Sequence, residues 1–231
     1  MRILALVPAR GNSQRISGKN LRQLGSKPLV VWPIDAAKDM PEVCDILVST
    51  DDPRIAEVAR NAGALVPWLR PAALATDAAL VIDAALHALN WYEDVHGPVD
   101  GLLLLQPTTP FTSRSTIHRG TNLFGANNYQ SVLGVSFALS HPMRCFIVDG
   151  VHLAPYLPEH DLQIRSQDLP PAYVVNGCFY LSAPAVIRAN HALYGKNVIP
   201  LVIESRKETI DIDTEWDWQI AQWAVDQKGL V

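Results

Sequence analysis

A basic loop near the amino terminus holds the residues best suited to bind phosphate groups. Residues 8–20 read PARGNSQRISGKN and place three cations, Arg10, Arg15 and Lys19, among small and flexible residues. A flexible backbone can turn its N–H groups toward an anion, and the cations can neutralise phosphate oxygens. No acidic residue occurs between Arg10 and Lys27, so a merely solvated loop would repel itself. These residues therefore predict a binding site for a nucleoside triphosphate.

The loop matches neither of two common nucleotide-binding motifs. Gly11 and Gly18 lack the GxGxxG arrangement, which disfavours a dinucleotide-dependent oxidoreductase, a class suggested only by the alternation of strands and helices. A P-loop is not formed either, because six residues separate these glycines, more than that motif allows. In addition, Asn20 stands where Ser or Thr would bind magnesium. The loop must therefore bind phosphates through a different arrangement.

An acidic pair near the other end of the chain is the second candidate. Residues 209–214 read TIDIDT, and the alternation of side chains along a strand would place Asp211 and Asp213 on one face. Magnesium is held by one or two carboxylates together with substrate phosphates and water, so this pair could bind Mg²⁺. Alternatively, Asp213 or Thr214 caps the helix that follows, but capping does not account for Asp211.

Alternating strands and helices are predicted to position both groups. Residues 3–7 form a continuous apolar run that ends at the basic loop, which is typical of a strand buried on both faces of a parallel sheet. Such folds bind ligands at the carboxyl ends of their strands. The order of elements indicates an α/β domain. We predict further strands at 46–49, 101–105, 131–137, 173–181, 198–203 and 208–213, and helices at 29–38, 53–62, 77–91 and 214–226.

Three features carry additional expectations. Residues 139–172 are rich in proline and are expected to form an insertion that leaves the core and packs on a partner or covers the substrate. In the last helix, Trp216, Ile220 and Trp223 share one apolar face, which we expect to be buried. Asp77 would begin its helix and interact favourably with the helix dipole.

The composition fits one globular domain and excludes several functions. The 231 residues are 48% hydrophobic and 18% charged, enough to bury one sizeable core. The net charge of −4 divides into +6 for residues 1–34 and −10 for the remainder, which argues against a nucleic-acid or membrane-surface binder. No apolar run could span a membrane, and the first strand ends too early for a signal peptide, so we expect a cytoplasmic protein.

Seven ordered motifs carry a resemblance to a known family. In chain order they are PARGNS…GKNL at 8–21, STDD at 49–52, LRP…LATD at 69–77, LQPTTP at 105–110, QDLP at 167–170, NG…Y at 176–180 and DIDT at 211–214. In sequence and order they are similar to the CMP-acylneuraminate cytidylyltransferases, the CMP-sialic acid synthetases. The match extends from the first strand to the final helix.

The resemblance implies a fold, an assembly and a reaction. The fold would be α/β of the nucleotidyltransferase type, with a Rossmann-like, mostly parallel sheet and a small insertion, residues 139–172, used for dimerisation. Residues 1–231 would form one cytidylyltransferase domain in a homodimer. The reaction would transfer CMP from CTP to the anomeric hydroxyl of a nonulosonic acid, release pyrophosphate and depend on Mg²⁺.

The resemblance also implies roles for individual residues. Lys19, Arg10 and Asp211 would be catalytic, with Lys19 stabilising the charge that develops in the transition state. Mg²⁺ would be bound by Asp211 and Asp213. The nucleotide would be bound by Ala9, Arg10, Gly11, Asn12, Ser13, Arg15, Lys19, Arg70 and Asp77. The sugar acid would be bound by Gln106, Arg165, Asn176 and Tyr180. The planar guanidinium of Arg165 would suit the carboxylate of the sugar.

The chain departs from the family pattern in two places. Gln14 stands where many members have lysine, and Arg15 could supply the missing charge, as in the related Kdo cytidylyltransferases. Arg165 is followed by Ser166 rather than by a second arginine, which indicates an altered sugar pocket. Pseudaminic, legionaminic or Kdo-type acids are therefore alternative substrates, and a nucleotide-binding module without turnover is the alternative function.

Overall fold

Strands and helices alternate along most of the chain. The computed structural model describes residues 1–157 and 163–227. The strands are β1 (Ile3–Pro8), β2 (Gln23–Leu24), β3 (Lys27–Pro28), β4 (Val43–Ser49), β5 (Gly101–Leu104), β6 (Ser131–Phe137), β7 (Phe146–Asp149), β8 (His152–Pro155), β9 (Tyr173–Ser182) and β10 (Val198–Val202). The α-helices are α1 (Val31–Ala37), α2 (Pro53–Asn61), α3 (Val81–His96), α4 (Arg114–Ala126), α5 (Pro184–Asn190) and α6 (Glu215–Asp226).

Six strands form the central sheet, in the order β10-β6-β9-β5-β1-β4. β1 is parallel to β4 and β5, and β10 is parallel to β6. β9 is antiparallel to both of its neighbours, β5 and β6. The predicted α/β fold with a mostly parallel sheet is therefore confirmed.

The first strand is buried on both faces, as its continuous apolar run predicts. Every residue from Ile3 to Val7 is fully buried. Ile3, Ala5 and Val7 belong to a cluster with side chains of α1, α2 and α4. Leu4 and Leu6 belong to a second cluster with side chains of α3 and α5. Helices thus cover both faces of the sheet, and burial of each large side chain contributes about 1.5–3 kcal/mol to stability.

Two predictions about secondary structure are wrong, and two helices were not predicted. The third helix begins at Val81 rather than at Asp77, so Asp77 lies in a turn and Asp83 is the acid in the first helical turn. Residues 208–213 form a turn and an extended loop instead of a strand. Helices α4 and α5 were not predicted: the buried face of α4 carries threonine and glycine beside its two large apolar residues, and α5 has only seven residues.

The apolar face of the last helix is not in the core. Trp216 and Trp223 are 69% and 56% exposed, and Ile220 is 37% exposed. The opposite face is buried, where Trp218 and the small Ala221 pack in a cluster formed with the basic loop and β2. Ala221 and Ala224 let the helix pack closely on this cluster, and the face that carries Trp216 and Trp223 is exposed.

Residues 139–157 lie outside the central sheet. β7 and β8 pair with each other in a separate two-stranded sheet. Five large apolar side chains of this hairpin region are exposed, namely Ile147, Val148, Val151, Leu153 and Tyr156. Residues 158–162 of the expected insertion lie outside the described part of the chain. In that described part, no helix is both long and apolar enough to cross a membrane.

Candidate active site

The basic loop follows β1 and is held in place by polar contacts with its surroundings. The N–H of Gly11 donates to Oδ1 of Asp51, which follows β4, at 2.9 Å. Nδ2 of the buried Asn20 donates to the carbonyl oxygen of Arg10 at 2.8 Å. Gly18 has a φ of +63°, a backbone conformation that favours glycine, and starts the short 3₁₀ helix that carries Lys19. The loop therefore has a defined shape before any ligand binds.

A cavity of about 470 Å³ opens beside this loop at the carboxyl ends of β1 and β5. Parallel strands of an α/β sheet present their ligand sites at this edge. The cavity brings together nine of the predicted site residues, namely Arg10, Asn12, Ser13, Arg15, Lys19, Arg70, Asp77, Gln106 and Asp213. Ala9 is fully buried in the core, and Gly11 faces a separate depression beside Asp51 and Asp52.

Four cations and two carboxylates determine the charge of this first cavity. Arg10 pairs with Asp77 at 3.1 Å, and Arg15 pairs with Asp213 at 3.0 Å. Two cations, Lys19 and Arg70, lie in the same wall without such an ion pair among the described residues. The excess of positive charge suits a triphosphate, whose oxygens need charge-assisted donors.

Arg70 is the most deeply buried of the four cations. Its Nε donates to Oγ of Ser49 at 2.9 Å, and its NH2 donates to the Ser49 carbonyl oxygen. Burial lowers the pKa of Arg70 to about 10, an effect that the nearby carboxylate of Asp51 opposes. The guanidinium remains charged at neutral pH and is locked to the end of β4.

Lys19 joins the two ends of the chain. Its Nζ donates to the carbonyl oxygen of Ile212 at 2.7 Å. Burial lowers the pKa of Lys19, while the carboxylates of Asp213 and Asp211 raise it. The ammonium group is thus a partly desolvated cation between the phosphate-binding loop and the acidic pair. A charge in such a position interacts strongly with any charge that develops nearby.

The acidic pair lies on an extended loop that retains the alternation of a strand. Ile212 is fully buried, and its N–H donates to the carbonyl oxygen of Thr108 at 2.8 Å. The flanking carboxylates face the two cavities: Asp213 lines the first and Asp211 lines the second. The two carboxylates are close enough to interact electrostatically, but they line different cavities and the predicted strand is wrong.

The donor set of this pair fits magnesium. Burial raises the pKa of Asp211, and a hydrogen bond with the Thr108 side chain opposes that rise. Within residues 1–157 and 163–227, no cluster of three or more His, Cys, Asp or Glu side chains could hold a metal. Mg²⁺ needs only one or two carboxylates when phosphates and water complete its shell. Two carboxylates beside a phosphate-sized cavity meet that requirement.

A second cavity of about 1080 Å³ adjoins the first, and Gln106 lines both. Asn176 and Tyr180, both predicted to bind the sugar, line it together with Asp211. Burial, with a further effect of Asp211, raises the pKa of Tyr180, which keeps its hydroxyl protonated. Nδ2 of Asn176 is buried and has no hydrogen-bond partner among residues 1–157 and 163–227, so it could donate to a bound ligand.

An irregularity in β9 shapes this second cavity. The pairing of β6 with β9 shifts between Leu133 and Val135, where β9 carries extra residues. Gly177 has a φ of +78°. A Cβ atom added to this residue would lie 3.7 Å from Oδ2 of Asp211. An L side chain at this φ would be strained, although the space beside the carboxylate would admit a Cβ atom. Such bulges commonly redirect side chains beside active sites.

Arg165, like Ala9 and Gly11, is a predicted site residue that lines neither cavity. Its side chain is 71% exposed, and its Nε donates to the carboxylate of Asp168 at 2.7 Å. The predictions also omitted Thr108, which supports the acidic pair from the loop after β5. The signal for Thr108 was its position two residues after Gln106, at the end of a buried strand.

Comparison with known proteins identifies the family. The family model described as cytidylyltransferase matches residues 4–136, more than half of the chain. The chain is 38% identical to the CMP-N,N'-diacetyllegionaminic acid synthase of Legionella pneumophila, with 100% of both chains covered. It is 28% identical to a pseudaminic acid cytidylyltransferase of Campylobacter jejuni, over 96% of this chain and 95% of the relative.

Solved structures confirm the fold. The structure of a CMP:2-keto-3-deoxy-manno-octonic acid synthetase complexed with CTP superimposes with a TM-score of 0.73 at 15% identity. It covers 98% of this chain and 99% of the compared chain. The family model, the full-length relative above 30% identity and the site geometry agree, and the chain belongs to the cytidylyltransferase family.

Proposed function

We propose that this protein transfers CMP from CTP to the anomeric hydroxyl of a nonulosonic acid. One observation carries the proposal: two adjoining cavities share Gln106, one lined by the basic loop and the other by Asp211. This arrangement suits a triphosphate and a polyhydroxylated acid that meet at the α-phosphate. The full-length similarity to a legionaminic acid synthase supports the same class of reaction.

In the proposed reaction, the anomeric oxygen of the sugar attacks the α-phosphorus of CTP. A bond forms between these atoms, the bond from the α-phosphorus to the bridging oxygen breaks, pyrophosphate leaves, and the hydroxyl proton is released. Arg10 and Arg15 hold the triphosphate with Asn12, Ser13 and the backbone around Ala9 and Gly11. Lys19 stabilises negative charge that develops in the transition state. Holding both reactants in adjacent cavities supplies the proximity that the reaction needs.

Asp211 and Asp213 are the residues that would hold Mg²⁺ in this proposal. Bound there, the ion would screen the phosphate charges and lower the pKa of a coordinated hydroxyl. The chain's own part is to keep the two carboxylates in place. Thr108 does so through its contacts with the backbone of Ile212 and with Asp211.

N,N'-diacetyllegionaminic acid is the first sugar to test. The relative named for this substrate covers the whole chain, and the second cavity is lined by apolar side chains that suit acetamido and deoxy groups. These side chains include Phe137, Leu139, Val174, Val175, Ile203 and Ile220. Gln106, Asn176 and Tyr180 would bind the polar groups of the sugar. Arg165 would bind its carboxylate only after leaving Asp168.

We further propose a cytoplasmic homodimer. The exposed apolar side chains of the β7–β8 hairpin and of the first half of β9 support an association surface within residues 139–172 and beside them. The proposed use of CTP as a substrate supports a cytoplasmic location. Light scattering of the purified protein measures the assembly, and a mass of one chain would contradict it.

A pyrophosphate-release assay tests the proposed reaction. Purified protein is incubated with CTP, Mg²⁺ and, in separate reactions, N,N'-diacetyllegionaminic, pseudaminic, N-acetylneuraminic and Kdo acids. We expect release with at least one sugar and none when ATP replaces CTP. Calorimetric CTP binding without release in any reaction would identify a nucleotide-binding module instead.

A further inference from the structure

Two carboxylates line the first cavity, where a triphosphate is proposed to bind, and one of them, Asp77, is not part of the proposed metal site. Asp77 lines this cavity together with Arg10, Arg15, Lys19 and Arg70. A carboxylate repels a polyanion at close range, so direct contact between Asp77 and a phosphate is unfavourable. The nucleotide binding that the family resemblance implies for Asp77 is therefore not explained by a contact with phosphate.

Both oxygens of Asp77 are instead bonded to the basic loop. NH1 of Arg10 donates to Oδ1 at 3.1 Å, and Nε2 of Gln14 donates to Oδ2 at 2.5 Å. NH1 of Arg10 also donates to the carbonyl oxygen of Thr76 at 2.9 Å. In the described part of the chain, these are the hydrogen bonds that connect the basic loop to residues 72–80. They join segments more than sixty residues apart along the chain.

The bonds leave one edge of the Arg10 guanidinium available. NH1 has two hydrogens, and Thr76 and Asp77 occupy both. The group has five donors in one plane, so Nε and NH2 keep the others. Neither of these two atoms has a hydrogen-bond partner among the described residues. The Nε–NH2 edge is the one that binds two oxygens of a phosphate group in the bidentate geometry typical of arginine.

Gln14 adds a second contact without changing the charge balance. Its amide donates to Asp77 but carries no charge, so the negative charge of Asp77 remains directed to Arg10. Many members of the family that the chain resembles have a lysine at this position. A lysine would compete with Arg10 for the negative charge of Asp77. With Gln14 at this position, Arg10 is the cation that pairs with Asp77 in the described part of the chain.

We infer that Asp77 is a positioning residue for CTP, which joins the basic loop to residues 72–80 and fixes the Nε–NH2 edge of Arg10 toward the phosphates. The inference rests on the proposed function for the identity of the nucleotide. It assigns Asp77 no direct contact with CTP. Its effect on the reaction passes through Arg10 and Gln14.

Two measurements on Asp77→Ala test this inference. Hydrogen exchange of nucleotide-free protein reports the order of residues 10–15, and calorimetry reports the Kd of CTP. We expect faster exchange in residues 10–15 and a Kd about tenfold higher, the effect of losing one charge-assisted contact. The KM for CTP should rise in step while the KM for the sugar is unchanged.

Two further variants make the test specific. Gln14→Met removes the amide that donates to Asp77 and adds no charge to the cavity, so it should also accelerate exchange in residues 10–15 and weaken CTP binding. Asp94→Ala removes an exposed carboxylate of α3 that lines neither cavity, and it should change nothing. Gln14→Met also keeps the test valid if Asp77→Ala fails to fold.

The outcomes separate this inference from the proposed reaction. Unchanged exchange in residues 10–15, or a CTP Kd that stays the same or falls in Asp77→Ala, would overturn the inference. A lower Kd would mean that Asp77 acts only by repelling the phosphates. The expected changes in exchange and Kd, without any turnover by the wild-type protein, would support the inference and overturn only the proposed reaction.

Discussion

Replacing Lys19 with methionine should lower kcat strongly without disturbing sugar binding. Nζ of Lys19 lies 2.7 Å from the carbonyl oxygen of Ile212, in the wall of the first cavity and under the influence of Asp211 and Asp213. Loss of one preorganised donor to developing charge typically costs about 2.7–4 kcal/mol, or about 10²–10³ in kcat. We expect this loss in pyrophosphate release at saturating substrates. The KM for the sugar should change by less than about threefold, because Lys19 does not line the second cavity.

A second lysine provides the control. Lys27→Met removes a cation that pairs with Asp35 and lies over the ring of Trp32, outside both cavities, and kcat should stay at the wild-type value. Lys19→Met should remain folded, because losing its hydrogen bond costs about 1–2 kcal/mol while the desolvation cost of a buried cation disappears. A kcat for Lys19→Met within about threefold of wild type would refute the assignment.

Three further predictions concern other residues. Asp211→Ala should nearly abolish pyrophosphate release while the circular dichroism spectrum is unchanged, and normal activity would remove Asp211 from the metal site. Thr214→Ala breaks the capping box of α6 and should lower the free energy of unfolding by about 1 kcal/mol in urea titrations, whereas Thr214→Ser should retain it. Burial lowers the pKa of His87 below its ordinary value of 6.5, so the folded protein binds this proton less well than the unfolded chain does. The free energy of unfolding should therefore be constant with respect to this group above pH 6.5 and should fall as the pH drops below that value. His87→Phe should show a smaller fall, and an equal one would contradict this origin.

The sequence predicted the sheet because β1 and β5 carry continuous apolar runs. Such runs are buried when helices cover both faces of a sheet. It predicted the first cavity because strands of such a sheet end at one edge, where the basic loop follows β1. The approach of Asp211 and Asp213 to Lys19 was implied by family resemblance rather than by any local pattern. Lys19 and its partner Ile212, between the two aspartates, are 193 residues apart, and such a separation carries no signal for contact in one sequence.

The failures have physical causes. The amphipathic pattern of α6 shows that one face differs from the other, but not which face is buried. Close packing of Ala221 against the cluster around β2 decided the orientation, and Trp216 was left exposed. The start of α3 was misplaced because Asp77 has the side chain of a typical helix start. Its carboxylate instead bonds to Arg10 and Gln14, contacts that no local pattern predicts.

Isotope transfer from the sugar tests the central claim most directly. The anomeric hydroxyl of N,N'-diacetyllegionaminic acid is labelled with ¹⁸O, and the labelled sugar reacts with CTP and Mg²⁺ in the presence of the enzyme. Attack by this oxygen on the α-phosphorus predicts a CMP-sugar that retains the label in the bridge between sugar and phosphate, with unlabelled pyrophosphate. An unlabelled product, free CMP alone, or label in the pyrophosphate would contradict the account.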